Sequence, residues 1–114
     1  MPNTDLKTVL VVSRSDPEHR FDKPWRGEPV ASFTLEKGKI SVQNHSPNVP
    51  FLIEEAKHYG LTNPLTGKRA TMKDGVVFLY ALLAQIGTAS YLTAYALDSA
   101  GRTVDVDLPE EEVQ

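Results

Sequence analysis

Cysteine is absent from the 114 residues of this sequence. Its absence excludes disulfides, thiolate nucleophiles, cysteine-type zinc sites and iron–sulfur clusters, so any chemistry must use oxygen and nitrogen groups. The Gly-x-Ser-x-Gly elbow, the His-Glu-x-x-His motif and the dinucleotide-binding glycine motif are missing as well. We therefore predict no catalytic residues, and we favour a function other than catalysis.

A surplus of basic residues is also missing, since 12 Lys and Arg stand against 15 Asp and Glu, for a net charge of −3. The imbalance comes from Glu110, Glu111 and Glu112, which follow Pro109. We expect one near-neutral domain over residues 1–108 and an acidic C-terminal tail over residues 109–114. A neutral domain is not typical of a dedicated nucleic-acid binder.

The N-terminus shows no basic segment followed by an apolar one, so no secretory signal is recognisable and we expect a cytoplasmic protein. Hydrophobic residues make up 40% of the chain and charged residues 24%. These fractions are ordinary for a folded domain, so we do not expect wholesale disorder.

The first half of the chain has the character of strands. Residues 8–13 are a β-branched run without alternation, which predicts a strand buried on both faces. Residues 14–29 are rich in proline and charge and predict a surface loop. Residues 30–42 alternate in polarity around a turn at 36–39, which predicts a hairpin.

A helix is predicted to begin near Pro50, whose fixed φ suits a first turn, and to end at Gly60. Leu52, Ala56 and Tyr59 recur at helical spacing and should form its buried face. Residues 61–70 contain an Asn-Pro and a Thr-Gly pair and predict a loop.

A capping box of Thr71 and Asp74 precedes an apolar run over residues 76–86, which predicts a second helix buried almost all round. Residues 90–97 have the aromatic and threonine content of a strand, and residues 103–108 alternate as a half-exposed strand does. The predicted order is β-β-β-α-α-β-β. We therefore predict a small single-domain α+β fold, with a largely antiparallel sheet and two helices packed on one face.

A membrane span is the alternative for one segment. No charge occurs between Asp74 and Asp98, and residues 75–97 are long enough to cross a bilayer as a helix. Gln85, Gly87 and the polar residues that follow weaken the second half of such a helix. We therefore expect a buried helix followed by a strand, and no membrane partner.

Basic charge is concentrated in one segment, residues 57–73, where no acidic residue occurs. The basic side chains are Lys57, His58, Lys68, Arg69 and Lys73. A basic connection that runs into a helix N-terminus suits phosphate or carboxylate, because backbone N–H groups and the helix dipole add to the side-chain charge. These residues form a candidate ligand- or anion-binding site, and a solvated interhelix loop is the alternative.

A second candidate surface lies in the proline-rich loop, around Phe21, Trp25 and Arg26. Aromatic side chains beside arginine can anchor a protein partner. Acidic residues are interleaved with them, which disfavours nucleic acid. Partner binding is therefore one interpretation, and the other is that the aromatic side chains pin the loop to the domain.

Metal sites have little support in the sequence. Glu55 and His58 have the Glu-x-x-His spacing, but carboxylate-bridged metal centres need two such pairs. His19, His45 and His58 lie in three separate segments. We predict neither a metal nor a cofactor.

Three functions remain open from the residues. The first is a small binding or accessory module that acts through protein–protein contacts and self-associates through its sheet or its Tyr-rich strand. The second is anion, phosphate or nucleic-acid binding through the basic loop at 57–73. The third is a small enzyme that uses His58 or His45 near that loop.

Overall fold

A computed structural model describes residues 6–13, 28–89, 91–104 and 106 of the chain. The strands are β1 (Thr8–Ser13), β2 (Glu28–Glu36), β3 (Lys39–Asn44), β4 (Leu61–Thr62), β5 (Arg69–Ala70) and β6 (Leu92–Leu97). The helices are α1 (Phe51–Tyr59) and α2 (Val76–Gly87), and a 3₁₀ turn at Met72–Asp74 precedes α2.

The main sheet has the strand order β3-β2-β1-β6, and all of its pairs are antiparallel. β1 is therefore central: Thr8 lies opposite Thr34 of β2 on one side and opposite Leu97 of β6 on the other. β2 and β3 form the expected hairpin, joined by Lys37 and Gly38. The predicted α+β fold with a largely antiparallel sheet is confirmed.

The two faces of β1 contribute to two apolar clusters, because successive side chains of a strand point to opposite faces. Val9 and Val11 are fully buried in the main core, which includes residues of both helices. Leu10 and Val12 form a smaller cluster with Leu97. The prediction that this strand is buried on both faces is confirmed.

The helix α2 supplies the largest part of the core opposite the sheet. Phe78, Leu79 and Leu82 are completely buried, and the Phe78 ring lies 5.6 Å from the ring of Phe33 in β2. The prediction of burial almost all round fails at Val77, which is 54% exposed.

The predicted capping box is present, but it caps the 3₁₀ turn rather than α2. The backbone N–H of Thr71 donates to Oδ2 of Asp74 at 2.7 Å, and the N–H of Lys73 donates to Oγ1 of Thr71 at 3.3 Å. These bonds satisfy donors that a helix start otherwise leaves free. Gly75 then separates the 3₁₀ turn from α2.

The buried face of α1 differs from the predicted one. Ile53 and Ala56 are its buried residues, whereas Tyr59 is 65% exposed. The predicted apolar face was therefore wrong at Tyr59, because the helix is rotated so that Ile53 points inward. Phe51, Glu55 and Tyr59, which share a helix face at i, i+4 and i+8, remain exposed instead.

The predicted loop at 61–70 is wrong at both ends, where the chain doubles back and forms a two-stranded sheet, whereas residues 63–68 form the expected turn. Leu61 pairs with Ala70 and Thr62 pairs with Arg69. Leu61 and Ala70 point into the core, where both are more than nine-tenths buried. The order therefore contains two additional strands between the helices.

The end of the predicted topology is only partly described. Of the strand predicted over 103–108, the described residues contribute one isolated bridge, between Thr103 and Leu97. The candidate partner surface of Phe21, Trp25 and Arg26 lies outside the described residues, as does the acidic tail at 109–114.

Within the described residues, no helix is long and apolar enough to cross a membrane. The uncharged segment considered for such a span is divided between the 12-residue α2 and strand β6. The expected combination of a helix and a strand is thus the one observed.

Candidate functional site

The β4–β5 hairpin begins directly after α1 and carries two of the predicted basic residues, Lys68 and Arg69. The guanidinium of Arg69 donates a hydrogen bond to the backbone carbonyl of Tyr59, the last residue of α1. Because this bond uses a carbonyl that the helix leaves without an internal donor, it ties the hairpin to the end of α1.

Asn63 organises the turn that joins β4 to β5. Its side-chain Oδ1 accepts the backbone N–H of Leu65 at 2.8 Å, and its backbone carbonyl accepts the N–H of Gly67 at 2.7 Å. Its own backbone N–H donates to the carbonyl of Lys68, also at 2.8 Å. The side-chain bond to the residue two positions on is an Asx turn, which replaces a backbone turn bond.

A groove of about 320 Å³ lies between this hairpin and the first two turns of α2. We call it the hairpin groove. Its apolar lining consists of Ala70, Val77, Tyr80 and Ala81, and its polar lining consists of Asn63, Thr66 and Lys68. An apolar cavity with a few convergent polar groups is the usual form of a binding site, and this volume lies at the small end of the range.

Asn63 is the unusual residue of the groove, since it is a polar residue with only 5% of its surface exposed. The N–H of Leu65 requires an acceptor, so the oxygen of the Asn63 amide must face Leu65. The NH₂ group therefore points the other way, and no described residue accepts a hydrogen bond from it. Buried donors of this kind are rare in folded proteins.

Lys68 adds a positive charge to the same groove. Its side chain is exposed, and no acidic side chain in the described part of the chain forms an ion pair with it. Its backbone N–H donates to Oγ1 of Thr66 at 3.2 Å, which keeps the two polar lining residues next to each other. The groove thus combines the largely buried Asn63, an exposed ammonium group without a described ion-pair partner and an apolar floor.

Arg69 faces a different hollow, on the side of the hairpin nearer to α1. This hollow measures about 340 Å³, and besides Arg69 its lining includes Glu55, Tyr59 and Thr62. Glu55 adds a carboxylate to this hollow, which therefore contains a negative charge as well as the positive charge of Arg69. Lys68 and Arg69 are neighbours in the sequence, but they line different cavities.

Lys57 and His58 both lie close to the carboxylate of Glu54 on their own helix. Nζ of Lys57 lies 3.5 Å from one oxygen of Glu54, and Nε2 of His58 lies 3.4 Å from the other. Lys57 also donates to Oδ1 of Asn44 at 3.5 Å. These contacts reduce the positive charge that α1 offers to an anion.

Lys73 lies in the 3₁₀ turn, with an exposed side chain. The hairpin groove contains Lys68 but none of the other four predicted basic residues. The role of the five residues in anion binding stays a prediction, and their positions divide between α1, the hairpin and the 3₁₀ turn.

The two histidines of the described chain have separate surroundings. Nε2 of His45 lies 3.0 Å from Oγ of Ser32, across the β2–β3 hairpin, and His58 approaches Glu54. Among the described residues, no group of three His, Asp or Glu side chains is placed to hold a metal ion. A catalytic role for either histidine stays a prediction.

The sequence pattern did not single out Asn63 as a binding residue, because Asn63 lies in a segment that predicts only a polar loop. The available signal was the series Asn63-Pro64 and Thr66-Gly67, because an Asn that opens a tight turn often bonds its own backbone two residues on. That signal predicts the turn but not the burial, which depends on how the hairpin packs against α2.

Comparisons with models of known protein families, with curated proteins and with solved structures found no match to this chain.

Proposed function

We propose that this chain is a non-enzymatic binding module that acts through protein–protein contacts, and that its hairpin groove receives the C-terminal residue of a partner chain. The terminal carboxylate would meet the amide of Asn63 and the ammonium group of Lys68. The last side chain would be apolar and pack on Val77, Tyr80 and Ala81. The observation that carries the proposal is Asn63, a largely buried residue in the lining of the groove whose amide nitrogen has no acceptor among the described residues.

A carboxylate is the acceptor that best fits this pair of groups. A ligand that enters the groove can supply the acceptor that the amide nitrogen of Asn63 lacks among the described residues. Hydrogen bonds to an ionised acceptor are shorter and about twice as strong as neutral ones. Lys68 then supplies the countercharge, because no described acidic residue neutralises it.

A chain terminus fits better than a free small acid because the groove is open and bordered by exposed apolar surface. Val77 is 54% exposed and Leu65, at the tip of the hairpin, is 37% exposed. A small acid inside the groove would leave Leu65, which does not line the groove, in water, whereas a protein partner would cover it. A C-terminal residue also carries its carboxylate and its side chain on one Cα, as the adjacent polar and apolar linings require.

The wider basic loop at 57–73 is the second candidate, as a site for phosphate or nucleic acid. It is less favoured because Glu54 lies next to both Lys57 and His58. Arg69 is held by the carbonyl of Tyr59. In keeping with the sequence, we propose that binding takes place in the cytoplasm.

The test uses the full chain labelled with ¹⁵N and N-acetylated tripeptides that end in Leu, Phe or Val. Each peptide is titrated both with a free C-terminal carboxylate and as its C-terminal amide. We expect the amide resonances of residues 63–68 and 77–81 to shift with at least one free-acid peptide and with none of the amides. No shift with any free acid, or equal shifts with acid and amide, would refute the proposal.

Two variants locate the binding. Asn63→Asp keeps the oxygen that accepts the N–H of Leu65 but replaces the NH₂ donor by a charged acceptor, so affinity should fall about tenfold or more. Lys73→Gln removes one positive charge away from the groove and should leave the affinity unchanged. An equal loss in both variants would favour the wider basic loop over the groove.

A small carboxylic acid tests whether the groove binds the terminus of a protein chain or a small molecule. Phenylacetate, titrated in the same way, should bind more weakly than the best peptide because it cannot cover Leu65. If phenylacetate binds as tightly as the best peptide, the groove is a small-molecule site and the protein-partner proposal is wrong.

A further inference from the structure

The two edges of the main sheet differ in what lies beside them. Along β6, the chain returns after a turn: the N–H of Val104 donates to the carbonyl of Ala96 at 2.9 Å, and Thr103 forms a bridge with Leu97. β3 at the opposite edge pairs with no described strand except β2, and the 3₁₀ turn at Met72–Asp74 packs close to it. In the described chain, β3 is therefore the edge with unused backbone groups.

The turn that brings the chain back along β6 is held by Asp98. Its Oδ1 accepts the N–H groups of Ala100 and Arg102 at 2.9 and 2.8 Å, and its Oδ2 accepts Nε of Arg102 at 3.2 Å. The backbone bond from Arg102 is the main cause that lowers the pKa of Asp98 below its ordinary value, against the opposing effect of burial. The edge of the sheet at β6 is thus covered by the returning chain over part of its length.

The pairing of β3 with β2 decides which of its backbone groups point outward. The N–H of His45 donates to the carbonyl of Val30, at 2.7 Å. Antiparallel strands alternate between bonded and non-bonded pairs, so Gln43, Ser41 and Lys39 also face β2. The N–H and C=O groups of Ile40 and Val42 therefore point away from the sheet.

The side chains of β3 do not block an additional strand. Lys39, Ser41 and Gln43 are exposed on one face, and Ile40 is buried on the face that packs on the helices. β3 contains no proline, and the register shift of the sheet lies between β1 and β2 instead. Natural sheets usually protect an edge by proline, bulges or several charges, and β3 has a single lysine.

We propose that two copies of this chain pair edge to edge through β3, in an antiparallel register with Ser41 opposite Ser41. The two-fold axis then passes through a non-hydrogen-bonded pair, and Ile40 of each copy lies opposite Val42 of the other. Lys39 lies opposite Gln43, so no like charges face each other. The alternative register with Val42 opposite Val42 would place the apolar Ile40 opposite the amide of Asn44.

The chosen register uses the free backbone groups of both copies. Ile40 and Val42 form two hydrogen-bonded pairs across the axis, and each such pair exchanges two bonds, for about four bonds in total. The result would be one continuous eight-stranded sheet with the apolar face extended across the junction. This pairing uses none of the residues that line the hairpin groove.

Sedimentation equilibrium from about 10 μM to 1 mM tests the association, a range that covers weak strand pairing. We expect a monomer–dimer equilibrium. Ser41→Lys places two like charges at the axis and should weaken the dimer about tenfold. Thr62→Lys adds the same charge at an exposed position of β4 and should leave it unchanged. A monomer at every concentration, or equal effects of the two variants, would overturn the proposal.

Cross-linking tests the register. Because the chain has no cysteine, a single introduced cysteine can only form a disulfide between copies. Ser41→Cys should give a covalent dimer under mild oxidation at a rate well above that of Gln43→Cys, since only residue 41 faces itself. Faster cross-linking of Gln43→Cys, in a chain that dimerises, would exclude the proposed register.

Discussion

Replacing Gly60 by alanine should destabilise the fold more than a typical surface substitution does. Gly60 has a φ of 87° and a ψ of −176°, a region of conformational space that essentially only glycine adopts. A Cβ atom at this position would lie 2.5 Å from the carbonyl oxygen of Ala70 and 3.0 Å from Cγ2 of Thr71. Since one of these atoms belongs to the backbone of β5, the whole hairpin would have to move.

The expected loss follows from opposing contributions. Backbone strain at such a position costs about 1–3 kcal/mol. Forcing additional atoms into a packed site costs about another 1–3 kcal/mol. The lower entropy of the unfolded alanine variant offsets about 0.4–1 kcal/mol. The net loss is about 3 kcal/mol, a large part of the 5–15 kcal/mol by which domains are usually stable.

Urea unfolding measures this loss, with Gly67→Ala as the matched control. Gly67 also has a positive φ, of 74°, but no atom lies within 4 Å of where its Cβ would be. Gly67→Ala therefore introduces strain without a clash and should cost about 1 kcal/mol. The unfolding midpoint of Gly60→Ala should be clearly lower than that of Gly67→Ala, with similar slopes.

Equal midpoints for the two variants would refute the close approach between the end of α1 and β5. That result would also affect the hairpin groove, because Ala70, which Gly60 approaches, lines the groove. A lower midpoint for Gly60→Ala, together with unchanged peptide binding by Gly67→Ala, would support the described arrangement.

Two further predictions concern the core and the turn after β6. Phe78→Ala should lose about 3–5 kcal/mol because the ring is completely buried against Phe33, whereas Phe51→Ala should change stability by less than about 0.5 kcal/mol because Phe51 is 74% exposed; similar urea midpoints would contradict the assigned core. The lowered pKa of Asp98 stabilises the fold above the ordinary pKa of 3.8, and this contribution should be lost as the pH falls through the folded-state pKa. The difference in melting temperature between wild type and Asp98→Asn should therefore shrink below about pH 4, and a difference independent of pH would contradict this linkage.

The elements with a strong local pattern were predictable from the sequence. The β-branched run of β1, the alternation of β2 and β3 and the apolar run of α2 each specify one conformation over many residues. The face of α1 was less predictable, because Ile53 and Leu52 are both apolar and neighbouring positions. Which of them points inward depends on how α1 packs, and this choice left Tyr59 exposed.

The hairpin and its groove were not predictable from local pattern. Strands of two residues are too short to show alternation, and Pro64 and Gly67 are typical of loops. The basic residues were recognised as a group, but the fold separates Lys68 from Lys57 and His58. The burial of Asn63 arises only when the hairpin packs on α2, so it depends on contacts between distant parts of the sequence.

The central position of β1 has a consequence for how the protein is made. Its two neighbours are β2, which follows soon after it, and β6, whose residues lie up to about 90 positions further along the chain. During synthesis, one side of β1 must therefore wait until almost all of the described chain has left the ribosome. At about 5–20 residues per second, this leaves the nascent chain for several seconds with an unpaired apolar strand, a state that chaperones recognise and that favours aggregation.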